Sequence, residues 1–400
     1  MEQERRLRIK FILLNYDCKF IFITISYIIY KEVFMAYLHD YLDYCKNLTF
    51  DELPFNEVDG VILSLLPMLD CNIAFPKKGE RTFINALARH VRVHELNNLG
   101  LIIKSDIAKM LYRASRTKRF AELKIHDLSY IVDETTETQA TSIVVDINEE
   151  LSVVVFSGTD DTIVGWKEDF AMIYNHNIPC MKHSLDYLNR VGKDLKQFYI
   201  VGHSKGGMES IYAYCFAEKE IQDKVIEVYS YDGQGLPKPV CEEVKEECKY
   251  KIKHFVPQGG IIGRLFYSPV EPIIIYSSYR GLQQHDPMSW EINRGKLSFT
   301  LINEFNIQSN LINQKINNII SSLDEEQSKM FVHNFFEVLS AGGASTLTDI
   351  TKKPHRALRK YLHLPQETKN LIGALIIYLA KDKIISRELL LGVFGINQIR

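Results

Sequence analysis

The chain has 400 residues, a formal net charge of −2 and a hydrophobic fraction of 46%, which are ordinary values for a globular protein. This length predicts two or three structural units, or one α/β domain with additions. Basic and acidic residues are interleaved, which argues against nucleic-acid binding because such proteins carry a strongly basic face or tail. The seven cysteines include no C-x-x-C pair and no H-E-x-x-H occurs, so we expect no disulfide framework, metal site or cofactor.

Residues 1–34 form an apolar extension that two interpretations fit. A basic start is followed by Phe11–Tyr30, which resembles a signal or membrane anchor. Asp17 and Lys19 interrupt this stretch, and the remaining clean run is shorter than the ~20 residues that a spanning helix needs. The segment is therefore either an extension ahead of a true start at Met35, in a cytoplasmic protein, or a device for membrane association through residues 11–30.

The next part of the chain changes from helical to strand patterns. Residues 35 to about 130 are predicted to be a mainly helical lead, with helices at Gly60–Leu69 and Ser105–Tyr112 and no catalytic arrangement. From about residue 140, the β-branched runs Thr141–Asp146 and Leu151–Phe156 are joined by a polar turn. They predict a pair of strands.

Strand and helix patterns then alternate, which predicts a mainly parallel sheet with helices on both faces. The near-continuous apolar run at Val153–Phe156 suits a strand that is buried on both sides. The predicted elements are the helices His183–Leu195 and Lys205–Glu218 and the strands Phe198–Gly202, Ile226–Tyr231, Lys251–Val256 and Ile273–Ser277.

After about residue 295 the pattern is helical to the end of the chain. We predict an α/β domain over 35–295, including its helical lead 35–130, and a helical C-terminal unit over 296–400 that packs on or caps the sheet. The helices predicted in this unit are Asn303–Ser322, Glu325–Ser340 and Glu367–Ala380.

The run Gly202-His203-Ser204-Lys205-Gly206 matches G-x-S-x-G, the nucleophile elbow of α/β hydrolases. A serine on such a sharp strand-to-helix turn needs small residues two positions before and after it, so that the chains can approach. An apolar strand precedes Ser204 and a helix follows it, and the helix N-terminus favours negative charge developing nearby. We therefore predict that Ser204 is the nucleophile; the alternative is a glycine-rich turn with a solvent-facing serine.

A loop that could bind an oxyanion follows the most apolar strand. Backbone N–H groups in Ser157-Gly158-Thr159 can face the nucleophile from there. We predict the N–H groups of Thr159 and Lys205 as the two donors. The alternative is an ordinary polar turn.

At this point the chain resembles known lipases. The order of its motifs resembles that of class 3 lipases: Ser157-Gly158-Thr159 comes first, then Trp166 and Asp169, and then the G-H-S-x-G-G elbow. A bacterial group of lipase-like α/β hydrolases without an established substrate is more closely similar. This resemblance runs from about Met35 to Trp290 and implies an α/β-hydrolase fold. It rests on Pro54–Asp59, Gly202–Gly207, Tyr231–Leu236 and Gln284–Trp290.

The base is expected after the last predicted strand, in a loop that can reach back over the sheet. His285 lies there, whereas His203 belongs to the elbow, His254 lies within a strand, and the remaining candidates lie in the helical tail. We therefore predict His285 as the general base.

The acid is harder to place, because the loop Pro257–Gly263 carries no carboxylate where class 3 lipases have an aspartate. We rank Asp232, at the end of the preceding strand, first. Asp286 comes second, since it would need an awkward turn to orient its neighbour His285. The absence of any acid comes third. It would lower the rate but need not abolish catalysis, since the acid mainly orients and stabilises the histidine.

Together these residues predict a lipase- or esterase-like serine hydrolase that cleaves small-molecule or lipid acyl esters without a cofactor. The alternative is a noncatalytic binding or scaffolding protein on the same fold, which the missing acid after Val256 and the long helical tail favour. A third possibility is thioester or peptide cleavage at Ser204, since the fold alone does not determine the substrate.

Overall fold

The structure is a computed structural model that describes residues 35–97, 105–352 and 354–364, together with Gln366 and Lys369. The predictions for residues 1–34, and almost all of the predicted helix Glu367–Ala380, lie outside the described residues. Within the described ranges, no helix combines the length and the apolar character that crossing a membrane requires.

The described strands are unequal in length, and the longest lie in the first half of the chain. They are β1 (Met35–Ala36), β2 (Arg81–Thr82), β3 (Lys124–Asp133), β4 (Thr138–Asp146), β5 (Leu151–Phe156), β6 (Gln197–His203), β7 (Val225–Tyr231), β8 (Ile252–Pro257), β9 (Ile273–Ile275), β10 (Ile292–Asn293) and β11 (Ser298–Phe299).

The described helices fall into a lead, a set that connects the strands, and a C-terminal set. The lead has α1 (Leu38–Cys45), α2 (Glu57–Ser64), α3 (Cys71–Ala74), α4 (Phe83–His94) and α5 (Ser105–Ala114). The connecting set has α6 (Ile163–Ala171), α7 (Pro179–Val191), α8 (Lys205–Phe216), α9 (Lys219–Lys224), α10 (Lys238–Glu242) and α11 (Glu246–Lys249). The C-terminal set has α12 (Ile307–Ser322), α13 (Glu325–Leu339), α14 (Leu347–Lys352) and α15 (Pro354–Leu362).

In the part of the chain that the structure describes, strands β2 to β9 form one eight-stranded sheet in sequence order. The neighbours from β2 to β5 are antiparallel, and those from β5 to β9 are parallel. The prediction of an α/β fold with a mostly parallel sheet and helices is thereby confirmed. A parallel crossover needs an intervening segment, and the helices α6 to α11 lie in the crossovers between β5 and β8.

The two faces of the sheet belong to different cores. Val153 and Val155 of β5 pack in a cluster with the lead helices, whereas Val154 and Phe156 pack with α7 and α8. This division follows from the alternation of side chains along a strand. Fully burying a side chain of this kind contributes ~1.5–3 kcal/mol, so β5 is held from both faces. The apolar run predicted as a doubly buried strand has this environment.

The carboxyl ends of the parallel strands lie side by side. Phe156 of β5 is in register with Gly202 of β6, and His203 is in register with Tyr231 of β7. The loops that follow these strands therefore begin at one edge of the sheet, where open α/β folds commonly place their ligand sites.

Two elements differ from the sequence-based expectations. Strand β3 begins at Lys124, inside the stretch expected to be helical; its residues alternate toward solvent and only Ile125 is fully buried, so the run lacks a strong apolar signal. Helix α7 begins earlier than predicted, at Pro179, because proline suits the first turn of a helix.

The C-terminal helices rest on α6. The ring of Phe335 in α13 stacks on that of Phe170 in α6 with centroids 5.4 Å apart. Thr346 forms a β-bridge with Thr162, immediately before α6. Elsewhere, β1 pairs with β10 and so joins the start of the lead to residues near 293. The division into 35–295 and 296–400 stays a prediction.

Candidate active site

Ser204 lies on a strained turn at the carboxyl end of β6. Its φ of 58° and ψ of −128° are rare for a residue with a side chain, and such strain costs about 1–3 kcal/mol. A Cβ on Gly202 would lie 2.0 Å from the Gly206 carbonyl oxygen, and one on Gly206 would lie 2.2 Å from the Phe156 oxygen. The glycines of the motif are thus required by close approach between backbones, as in a nucleophile elbow.

The loop after β5 touches this turn. A Cβ on Gly158 would lie 3.3 Å from Ser204 Cβ and 3.0 Å from the His203 oxygen, so only glycine brings this loop so close. The N–H groups of Thr159 and Lys205 donate to no acceptor among the residues that the structure describes. Two free donors next to a serine can bind a developing oxyanion, provided that they point at the same atom.

His285 and Asp232 are paired at the same edge of the sheet. His285 Nδ1 lies 2.6 Å from Asp232 Oδ2, and the Asp232 side chain is 1% exposed, against 23% for His285. Because a carboxylate only accepts hydrogen bonds, Nδ1 is the nitrogen that carries the proton in this pair, which leaves Nε2 as the nitrogen that can act as a base. The histidine and the first-ranked acid therefore adopt the arrangement that a triad needs.

The loop without a carboxylate, Pro257–Gly263, encloses Asp232. The N–H of Gly263 donates to Asp232 Oδ1 at 3.0 Å. A Cβ on Gly263 would lie 2.4 Å from the same oxygen, and one on Gly260 would lie 3.1 Å from it. Class 3 lipases carry an aspartate at about this position. This chain has glycines there, and they make room for Asp232.

His203 packs against His285, a contact that the sequence analysis did not predict. The two rings lie 4.4 Å apart between centroids, and His203 Nε2 lies 2.9 Å from the backbone oxygen of His285. Burial, with the neighbouring His285, holds the pKa of His203 well below its usual value. The ring is therefore neutral, and its Nε2–H donates to that carbonyl oxygen, which fixes the loop that carries His285.

Ser204 and His285 do not form a hydrogen bond in the described part of the chain, although their elements meet at one edge. Catalytic hydrogen bonds often tighten only when substrate binds. Two cavities lie elsewhere. One of about 810 Å³ is lined by α13, α15 and Lys167, and one of about 300 Å³ lies beside α10.

The other predicted candidates lie outside this arrangement. Asp286 accepts a hydrogen bond from the Met288 N–H at 3.0 Å and caps the turn that follows it. His254 is buried in β8 and lies 2.9 Å from the Gly233 oxygen. Among the described residues, no group of three or more His, Cys, Asp or Glu side chains is arranged to hold a metal ion.

Acidic residues of α6 join the loop after β5 to the elbow. Thr159 Oγ1 donates to Asp169 Oδ2, and the buried side chain of Lys205 forms an ion pair with Glu168 at 3.1 Å. Burial raises the pKa of Asp169 to about 6, against the influence of Lys205 and Thr159. In the sequence, Asp169 stands out only through the resemblance to class 3 lipases, and no motif points to Glu168.

One family model accounts for most of this architecture. The model of the Mbeg1-like family, a lipase-like family, matches residues 114–337, which is more than half of the 400 residues. The chain belongs to the Mbeg1-like family. The match spans β3 to β9 and includes Ser204, Asp232 and His285, so the prediction of a lipase-like family is confirmed at this level. No curated protein matches the chain.

Proposed function

We propose that this Mbeg1-like protein is a serine hydrolase that cleaves acyl esters. The observation that carries the proposal is the pairing of buried Asp232 with His285 at the sheet edge where the strained Ser204 turn lies. A carboxylate, an oriented imidazole and a serine elbow form the set that acyl transfer requires. Membership of a lipase-like family points to the same class of reaction.

The reaction begins with attack of Ser204 Oγ on the ester carbonyl carbon, while His285 Nε2 takes the hydroxyl proton. The carbonyl oxygen becomes an oxyanion and accepts hydrogen bonds from the N–H groups of Thr159 and Lys205. When the tetrahedral intermediate collapses, the alcohol leaves with the proton from His285, and the acyl group stays on Ser204. Water then releases the acid by the same steps, and Asp232 keeps the imidazole oriented throughout.

Membership of a lipase-like family favours small-molecule or lipid acyl esters as substrates. The C-terminal helices rest on α6, which follows the loop of Thr159, and this contact buries apolar side chains of both. Cytoplasmic location remains part of the proposal, in keeping with the free thiols of the described cysteines. Membrane association through residues 11–30 remains the alternative.

The proposal is tested with a fluorophosphonate probe and p-nitrophenyl esters of several chain lengths. Ser204→Ala should abolish labelling and lower ester hydrolysis by ~10⁴–10⁶-fold, because it removes the nucleophile. Peptide mapping of the labelled wild type should place the probe on Ser204. The matched control is Ser184→Ala, which removes a buried hydroxyl from α7 and should leave labelling unchanged.

Two results would contradict the proposal in different ways. If Ser204→Ala is labelled like the wild type, another residue is the nucleophile. If the folded wild type neither reacts with the probe nor hydrolyses any ester, the proposal is wrong and the alternative of a noncatalytic binding or scaffolding protein is supported. Activity restricted to thioesters or peptides would keep Ser204 and change only the substrate.

A further inference from the structure

The side chain of Lys205 points into the protein, away from the nucleophile that precedes it. Its Nζ lies 2.6 Å from the Gln139 backbone oxygen, 2.7 Å from Gln139 Oε1 and 3.1 Å from Glu168 Oε2. An ammonium group has three donors, and these three acceptors use all of them. The side chain of Lys205 therefore has no donor left for a substrate, and only its backbone N–H serves the site.

Glu168 is the partner that connects this ammonium to the rest of the fold. Its Oε2 also accepts a hydrogen bond from the Gln139 N–H at 3.0 Å, and its Oε1 accepts one from the Cys180 N–H at 2.8 Å. The side chains of Lys205 and Glu168 are both 0% exposed. The pair thus ties together the start of α8, the end of α6, strand β4 and the start of α7.

Lys205 stays charged in this environment. Burial by itself lowers the pKa of Lys205, but the charges of Asp169 and Glu168 outweigh burial and raise it. Asp169 Oδ1 lies 4.0 Å from Lys205 Nζ, while Asp169 Oδ2 accepts the hydrogen bond from Thr159. Two consecutive carboxylates of α6 therefore hold the two residues whose N–H groups we propose as oxyanion donors.

We propose that Lys205 and Glu168 form a positioning pair that fixes the direction and separation of the oxyanion donors. This inference rests on the proposed function. A buried ion pair contributes little net stability, because the loss of hydration offsets most of the attraction. Its value at this place is geometric: Lys205 Nζ anchors the first residue of α8, so the N–H of Lys205 keeps a fixed position relative to the loop of Thr159.

The main test compares Lys205→Met with the double variant Lys205→Met/Glu168→Gln. Methionine keeps the length of the side chain, and the double variant also removes the carboxylate that would otherwise remain unpaired. We expect both variants to lower kcat by about 10²-fold with little change in KM, because a displaced donor acts in the transition state. Binding of an alkyl boronic acid, whose adduct places an oxygen in the oxyanion position, should weaken by a similar factor.

Stability separates positioning from a merely structural role. Lys205→Met should unfold at a lower urea concentration than the double variant, because the double variant no longer buries the Glu168 carboxylate without its partner. If kcat recovers together with stability in the double variant, the pair acts only through folding and the inference is overturned. Glu168→Gln, which keeps the shape of the side chain, should show a smaller fall in kcat in the same direction.

The matched control is Arg119→Met, which breaks a different fully buried ion pair with Asp59. It should lower stability and leave both kcat and boronic acid affinity unchanged. An unchanged kcat in both Lys205 variants, with an active wild type, would overturn the inference and leave the proposed function intact. A wild type without fluorophosphonate labelling would instead overturn the proposed function, and this inference with it.

Discussion

Two fully buried ion pairs lie on opposite faces of the sheet, and their surroundings differ. Arg119 pairs with Asp59 beneath the lead helices, with Nε 2.8 Å from Oδ1 and Nη2 2.5 Å from Oδ2. The hydroxyl of Tyr41 also donates to Asp59 at 2.8 Å. Each oxygen of this carboxylate therefore has partners, as buried charges require.

Lys205 and Glu168, behind the nucleophile, are satisfied as a pair, but two acids next to them are not. Lys205 faces Glu168 and Asp169, and Glu209 is buried on the same helix as Lys205. Among the described residues, Asp169 Oδ1 and both carboxyl oxygens of Glu209 lack a hydrogen-bond partner. Burial raises the pKa of Glu209 well above its usual value.

This difference suggests that the two pairs serve different purposes. The pair of Arg119 and Asp59 has its hydrogen bonds satisfied within the core and lies away from the candidate site. The cluster around Lys205 keeps unsatisfied acids next to a strained serine, and conflicts of this kind between local chemistry and stability are expected at functional sites. The contrast predicts that substitutions on the sheet face covered by the lead helices alter stability alone. Substitutions around the elbow are expected to alter kcat.

The largest effect is expected for Asp232→Asn. The amide can no longer select the tautomer with the proton on His285 Nδ1, so kcat should fall by up to ~10⁴-fold. The matched control is Asp286→Asn, at the second-ranked acid, which should keep most of the activity because asparagine still caps the turn. Steady-state kinetics on a p-nitrophenyl ester decide the point: an equal loss in both variants would contradict the assignment of Asp232.

A large loss of stability, without a loss of rate, is expected for Arg119→Met. Asp59 would remain buried without its partner, which costs about 3–5 kcal/mol in the free energy of unfolding. Urea unfolding measures this change, and kcat per folded molecule should equal that of the wild type. Adding Asp59→Asn should restore part of the stability. If kcat falls as much as in Lys205→Met, the predicted difference between the two faces of the sheet is wrong.

The sequence predicted those parts of the site that depend on local pattern. The strand, turn and helix around Ser204 are contiguous, so the glycines and the apolar run mark the turn directly. The ranking of Asp232 above Asp286 followed from strand ends and loop reach, and the structure places Asp232 beside His285 at 2.6 Å. The catalytic role of each of these residues remains a prediction.

The contacts that the sequence did not predict join residues far apart in the chain. Lys205 meets Gln139 across 66 positions, and Asp232 meets Gly263 across 31. A lysine at the start of a helix is usually solvated, so nothing in the local pattern indicated that Lys205 is buried. The pattern also did not indicate β3, because most of its side chains are partly exposed and a register shift between His126 and Ser129 interrupts its alternation. Such features follow from packing between elements, which a single sequence does not display.

The smallest of these effects is expected for Asp169→Asn, and its sign is opposite to that of Arg119→Met. The pKa of Asp169 is raised in the folded protein to about 6, from a usual value of 3.8. The folded state therefore holds this proton more tightly, so the stability that it contributes is present below about pH 4 and is lost as the pH rises through 6. Asparagine stays neutral and can still accept the hydrogen bond from Thr159. The variant should be more stable than the wild type by about 1–3 kcal/mol at pH 8 and nearly equal to it at pH 4.

Urea unfolding of both proteins at pH 4, 6 and 8 measures this effect. The control is Glu149→Gln on the exposed turn between β4 and β5, where removing a charge should change little at any pH. If Asp169→Asn is instead less stable than the wild type at pH 8, attraction to Lys205 outweighs burial, and the carboxylate stabilises the fold as Asp59 does. Buried carboxylates would then stabilise the fold on both faces of the sheet. If the variant is more stable but its kcat falls at pH 8, the charge of Asp169 positions the Thr159 loop at a cost in stability.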